Sequence, residues 1–183
     1  MEEAVLTDGV VLLRPLTMAD SEALYAAVRA SIDELCQWLP WAHPEYAPAD
    51  ATGFIQISRR WWDEQSQFTF GIFDAADGTL AGSIGVNHLN MQHRYANIGY
   101  WVRTSHTRRG FCSRSVRLVA GFAFNTVGLT RVEIAADPDN GASRGVAEKA
   151  GATFETIARN RIVMRGEALP AAVYSLVPED LRE

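Results

Sequence analysis

The sequence has two cysteines in 183 residues, no long apolar run and no surplus of positive charge. Two thiols, Cys36 and Cys112, are too few for a disulfide framework or a metal cluster, and they suit a reducing compartment. No stretch nears the ~18 consecutive apolar residues of a membrane-crossing helix. The first eight residues open with Glu2 and Glu3 and carry no apolar run, so a signal peptide is not expected. The formal net charge of −5 argues against nucleic-acid binding driven by bulk charge. A local basic patch remains at Arg103, Arg108, Arg109, Arg114 and Arg117. Internal repeats, low-complexity tracts and linkers are also missing. What survives these exclusions is a cytoplasmic, metal-free protein with one domain over residues 1–183. Its 48% hydrophobic and 21% charged residues are the proportions of an ordinary globular chain.

The apolar periodicity predicts a mixed α/β architecture. Val10 to Leu16 reads as a first strand. Thr17-Met18-Ala19-Asp20 has capping-box spacing and is followed by Ala23, Leu24, Ala27 and Val28 at helical intervals. Ser31 to Glu34 repeats the capping signal for a short second helix. Pro40, Pro44 and Pro48 break the chain from Trp38 to Tyr46 into an aromatic loop, and Pro48 suits the first turn of a helix reaching about Gln65. From Phe68 the period becomes two. Phe68–Phe73, Leu80–His88 and Ala96–Val102 read as antiparallel strands, with Asp77-Gly78 as the first hairpin turn. Gly110 to about Val127 is helical, with Gly128 as its C-cap. A strand over Arg131–Ala136, a helix over Asn140–Ala150 and two strands near Thr153–Ile162 and Ala171–Val177 complete the chain.

A strand that ends at Val102, turns through Thr107-Arg108-Arg109-Gly110-Phe111-Cys112-Ser113 and enters a helix is suited to hold phosphate. The first N–H groups of a helix have no partners within it and carry the positive end of its dipole. Glycine lets the backbone approach a ligand, and Arg108 and Arg109 add charge. One glycine and two arginines before a helix also describe an ordinary solvated helix start.

Companion segments decide between those readings. Val11-Leu12-Leu13-Arg14-Pro15-Leu16, Leu35-Cys36-Gln37-Trp38-Leu39-Pro40-Trp41 and Ile98-Gly99-Tyr100-Trp101-Val102 precede the turn. Asp137-Pro138-Asp139-Asn140-Gly141-Ala142-Ser143, Glu148-Lys149-Ala150-Gly151 and Val173-Tyr174-Ser175-Leu176 follow it. In this order and spacing the chain resembles the GNAT superfamily of acetyltransferases, in the branch of the ribosomal-protein N-terminal acetyltransferases RimJ and RimL. The superfamily's phosphate motif runs Gln or Arg, two residues, Gly, one residue, Gly or Ala. Here Thr107 takes the first place, Gly110 fits and Cys112 replaces the last small residue, packing rather than reacting.

The resemblance implies a mostly antiparallel central sheet flanked by helices, in which a splayed strand pair holds acyl-CoA. The strand through Tyr100, Trp101 and Val102 parts from that of Arg131–Ala136, and the pantetheine arm enters as a pseudo-strand. It also implies acetyl transfer from acetyl-CoA to a primary amine, best matched by a protein or peptide N-terminal α-amine. A small-molecule or antibiotic amine, a succinyl donor and a non-catalytic acyl-CoA sensor are the alternatives, and homodimers are common in the branch. The tyrosine that serves many members as acid is replaced by Ala147, whereas Ser143 matches the serine used in the RimL branch. Asn140 matches a pantetheine or water ligand, although Asn140 with Ser143 three residues on would also cap the helix. Asn97 stands where the branch commonly has a glutamate base, and Glu133 is the other candidate carboxylate. His88 and His43 are weaker candidates, and both also stand as acceptor-side residues.

A site without a strong base favours one class of amine. At 1.36 kcal/mol per unit, an α-amine of pKa ~7.8 needs about 1.1 kcal/mol to be neutral at pH 7, and a lysine at ~10.4 roughly 4.6 kcal/mol. The proline-broken loop supplies Trp38, Trp41, His43 and Tyr46 as an aromatic wall for the acceptor, or as anchors of the loop to the core.

Overall fold

Pro15 has no amide hydrogen to give a ladder, and the apolar run before it stops there, so β2 covers Val11–Arg14. The computed structural model describes residues 4–182. A strand not expected from the sequence, β1 (Leu6–Thr7), pairs antiparallel with β2. Asp8 Oδ1 closes the turn between them, accepting from the amides of Val10 and Val11 at 3.0 Å each. Asp20 Oδ2 accepts from the Thr17 amide at 2.7 Å, as the capping spacing predicts, and Arg14 grips the same carboxylate at 2.7 and 2.8 Å.

Three helices follow: α1 (Ser21–Arg29), α2 (Ile32–Trp38) and α3 (Pro48–Asp63), the last with Pro48 in its first turn. Ser31 is put to a different use from the expected cap. It is buried, and its Oγ accepts from the Thr104 amide at 2.9 Å, which ties the start of α2 to a distant turn.

The two-residue period becomes the meander β3 (Phe68–Asp74), β4 (Leu80–Asn90) and β5 (Tyr95–Val102). Helix α4 (Phe111–Phe122) runs on through a π-helical turn, Ala123–Val127, to Gly128. Then come β6 (Arg131–Ala136), α5 (Gly141–Lys149), β7 (Thr153–Met164) and β8 (Glu167–Leu176). The last two strands are longer than their sequence suggests, meeting at a two-residue turn, Arg165-Gly166. Pro170 argues against a strand, but it lies where the pairing of β7 with β8 shifts register between Ala158 and Ile162, and such irregularities tolerate a missing donor.

The eight strands form one sheet in the order β1-β2-β3-β4-β5-β6-β8-β7. All neighbours are antiparallel except β5 and β6. On one face α4 and α5 cover Phe70, Ile84, Ile98, Val132 and Tyr174, with Trp62 of α3 closing the edge. Trp62 stacks edge-on to Phe68 and Phe70 at 4.9 and 5.1 Å, and each such pair adds about 0.5–1.5 kcal/mol beyond its buried area. On the other face α1–α3 pack around Leu16, Phe73, Leu80 and Trp101. Strand β5 therefore sends Ala96, Ile98, Tyr100 and Val102 to the α4 side, and Asn97, Gly99 and Trp101 to the α1–α3 side. Among the described residues no helix is long and apolar enough to cross a membrane.

Candidate active site

Strands β5 and β6 pair over only three positions, Tyr95 with Arg131, Ala96 with Val132 and Asn97 with Glu133. Beyond Asn97 they part. β5 continues paired only with β4, and β6 continues paired only with β8. Two strand edges thus face a gap with their backbone donors and acceptors unmatched, an arrangement that water or an amide-bearing ligand must satisfy. A groove of about 1620 Å³ lies at this gap and is lined by residues from both faces of the sheet.

At one end lies the N-terminus of α4. Gly110 is its N-cap, in the left-handed region at φ +81°, and the first bond within the helix runs from the Arg114 amide to Gly110 O at 3.1 Å. The amides of Phe111, Cys112 and Ser113 have no partner inside the helix and stand at its positive end. Thr107 Oγ1 and Ser113 Oγ fold back on Thr104 O and Gly110 O, at 2.8 and 3.1 Å, and leave the approach to backbone N–H groups. Thr107, Arg108, Gly110, Phe111, Cys112 and Ser113 all line the groove. Burial pushes the Cys112 thiol up to about 12, so it stays protonated and packs as a small side chain.

The charge of the local basic patch is distributed otherwise than expected. Arg109 does not reach the groove. Its guanidinium bonds Asp74 Oδ2 at 2.9 Å and lies over the Phe111 ring at 4.9 Å, because Asp74 is 5% exposed and a buried carboxylate requires a cation. Arg114 pairs with Asp8 at 2.7 Å, and Arg117 donates to Ala150 O at 3.2 Å. Arg108, at φ +61°, carries no ion pair among the described residues and keeps its charge for the groove.

At the centre, Asn140 Oδ1 accepts from the Ser143 amide at 2.9 Å, so it caps α5 while lining the groove. Tyr100 reaches across from β5. Its hydroxyl donates to Ser143 O at 2.9 Å and lies 3.1 Å from Ser143 Oγ. Burial raises the pKa of this phenol and keeps it protonated. Ala147 is fully buried and brings no functional group.

Glu133 is placed differently from its expected role as base. Its Oε1 accepts from Arg131 at 3.1 Å and its Oε2 from Arg161 at 2.9 Å, and it does not line the groove. Both oxygens are thus bonded to guanidinium groups, which tie Glu133 to its own strand and to β7. Arg131 also grips Glu155 at 2.6 and 2.7 Å, and this pair draws the Glu155 carboxyl down to about 2.

On the α1–α3 side, the groove floor is Asn87, Asn97, Gly85 and Gly99, and Trp38, Trp41, His43, Tyr46 and His88 line its walls. The Trp41 ring lies 6.1 Å from those of both Trp101 and Tyr46. His43 is held between Glu45 and Asp50, each 3.7 Å away, while His88 sits exposed at the rim with φ +52°. The hairpin of β7 and β8 closes the far wall, where Arg165 donates to Cys36 O at 2.6 Å. The sequence reading missed Asn87, the glycine pair and the hairpin wall. The alternation of β4 and β5 around their connecting turn carried the signal for Asn87, which faces Asn97 across the pair.

Comparison with known proteins follows the same outline. Residues 11–153 match the acetyltransferase (GNAT) domain. The chain is similar to a Bacillus subtilis (strain 168) protein named as the uncharacterised N-acetyltransferase YoaA, with 30% identity over 173 residues, 94% of this chain and 96% of the relative. It is similar in fold to a Vibrio cholerae structure provisionally named a ribosomal-protein-serine acetyltransferase. That match has a TM-score of 0.85 and 31% identity, and covers 96% of this chain and 98% of the other. Mycobacterium smegmatis RimJ, solved in complex with CoA-disulfide, shares the fold at a TM-score of 0.86 and 24% identity, covering 99% of this chain and 89% of that one.

Proposed function

The chain belongs to the GNAT acetyltransferase family, and on that premise we propose that it transfers an acetyl group from acetyl-CoA to an N-terminal α-amine of a protein or peptide. One observation carries the reading: the β5–β6 gap runs from the bare helix N-terminus, past the Tyr100–Ser143 pair, to an aromatic-walled groove. In this reading the pantetheine amides pair with the open edge of β5 near Tyr100, Trp101 and Val102. The pyrophosphate rests on the amides of Phe111, Cys112 and Ser113, with Arg108 beside it. The amine nitrogen attacks the thioester carbon, a C–N bond forms and the C–S bond breaks; the attacking nitrogen sheds one proton to solvent water and the sulfur takes one. Ser143 Oγ stands ready to give that proton, with the protonated Tyr100 behind it.

Two features support an α-amine. Asn97 is an amide where a base would stand, and Glu133 is held by two arginines. The acceptor must then arrive neutral, which at pH 7 costs an α-amine about 1.1 kcal/mol and a lysine roughly 4.6. The ribosomal-protein name of the Vibrio relative agrees with a peptide acceptor.

Release of CoA thiol from acetyl-CoA is the test, with Ser-, Ala- and Met-initiated peptides beside N-blocked peptides that offer only lysine. Turnover of the free N-termini is expected, and Ser143→Ala lowers kcat by about 10²–10⁴-fold, the usual worth of a positioned acid, while acetyl-CoA affinity holds. Tight CoA binding with no turnover of any amine would replace the enzyme by a sensor. Turnover of small aromatic amines alone would move the acceptor from peptides to small molecules.

A further inference from the structure

Two asparagines stand side by side on the acceptor floor. Asn87 of β4 and Asn97 of β5 are direct partners across the antiparallel pair, so their side chains emerge together on the α1–α3 side. Asn97 Nδ2 donates to Asn87 Oδ1 at 2.9 Å. The two amides share only this bond. Asn97 Oδ1 is left buried with no partner, and Asn87 Nδ2 has no acceptor among the described residues. The free nitrogen of Asn87 hangs over the next pair, where Gly99 opposes Gly85, because a Cβ on Gly99 would lie 3.2 Å from it. A Cβ on Gly85 would press on Phe68 O and Thr69 Oγ1, each at 3.2 Å. Beyond the glycines, Trp101 faces Ser83, whose hydroxyl donates to Phe70 O at 2.9 Å. The floor is therefore a strip of bare backbone between an amide pair and an indole.

A buried carbonyl oxygen without a donor is disfavoured, and a ligand N–H placed against it removes the defect. Beside that acceptor stands a free donor, at the edge of a strip of bare glycine backbone. An α-aminoacyl group matches this pattern, since its amine and its carbonyl oxygen are carried on adjacent carbons. We infer that the Asn87–Asn97 pair reads an α-aminoacyl group: Asn97 Oδ1 accepts from the attacking amine, and Asn87 Nδ2 donates to the neighbouring carbonyl. A lysine ε-amine or a simple alkylamine offers the first contact and lacks the second. The inference rests on the N-acetyltransferase reading and adds to it the feature by which the acceptor is chosen.

The experiment compares alaninamide with a carbonyl-free primary amine matched to it in pKa and size. Both are assayed by kcat/KM in the wild type, Asn87→Ala and Asn97→Ala. The wild type is expected to prefer alaninamide by about 3–10-fold, the worth of one neutral hydrogen bond. In Asn87→Ala that preference falls to near unity, and in Asn97→Ala both amines lose efficiency. The dissociation constant for CoA, measured on each variant, separates a lost contact from a lost fold. Equal efficiency of the two amines in the wild type overturns the inference and leaves the enzyme reading standing, as does a preference undiminished in Asn87→Ala. Turnover of neither amine while the free-N-terminal peptides react overturns the inference alone, and turnover of no amine at all overturns both.

Discussion

Replacing Gly110 by alanine separates the backbone of the phosphate turn from its side chains. Gly110 lies at φ +81°, ψ 4°, and the nearest atom to an added Cβ is Arg114 Nε at 3.8 Å, a flexible end that offers no clash. Sterics with neighbours therefore contribute nothing, and the cost is that of a Cβ in the left-handed region, about 1–2 kcal/mol. The variant has two ways to bear it. If the turn keeps its shape, global stability falls by that amount, which in a chain of this length lowers Tm by roughly 2–8 °C. If the residue relaxes toward negative φ, the amides of Phe111, Cys112 and Ser113 rotate off their common target, and CoA binds up to about 5–30-fold more weakly. Calorimetric melting and CoA titration, read together, should account for the full 1–2 kcal/mol. Gly110→Asn is the control, since asparagine tolerates the left-handed region and should recover much of both losses. An alanine variant that melts and binds CoA like the wild type would refute the assignment of this turn.

Three further outcomes are expected. Glu155 is held by Arg131 and titrates near 2 instead of its ordinary 4.5. A depressed carboxyl adds stability that is whole above pH 4.5 and disappears as pH falls toward 2, so between those values the wild type should lose more Tm than Glu155→Gln; equal losses would refute the pairing. Cys112, with its thiol raised to about 12, should resist iodoacetamide at pH 8 in the folded protein and react once unfolded. Peptide mapping reads the difference, and native labelling of Cys112 at the rate of Cys36 would contradict the raised thiol. Lys149 is the chain's single lysine, exposed at the end of α5 and lining the groove. An amine-directed acylating reagent should modify it among the side chains, and saturating CoA should slow that reaction several-fold; an unchanged rate would place CoA elsewhere.

What the sequence made legible follows from what local chemistry controls. The period of two from Phe68, the Pro48 start of α3, and Gly110 before α4 are local signals, and the structure honours each. The roles of arginine and glutamate are different, because they depend on which charge lies nearby after folding. Arg109 lies far along the chain from Asp74, and Glu133 meets Arg161 only when β7 returns beside β8. Ser31 shows the same limit: its capping pattern is genuine, but a distant amide at Thr104 takes the hydroxyl first. Tyr100 could be read as core or as groove by alternation alone. Its meeting with Ser143 needed the packing of α5 on the sheet. The Asn87–Asn97 pair lay one register assignment beyond the strands already recognised.

The parting of β5 from β6 also divides the sheet mechanically. Five strands on one side and three on the other are joined across this line by only three residue pairs. A donor arm lying in the gap would bridge the two blocks, so occupancy and cohesion become linked quantities. At a free ligand concentration 100 times Kd the linkage is worth about 2.7 kcal/mol of resistance to unfolding. Hydrogen exchange at Ile134, Ala135 and Ala136 should slow as acetyl-CoA is added, and melting should rise with it. A protein built in this way is expected to persist where its donor is plentiful and to be cleared sooner where the donor runs short.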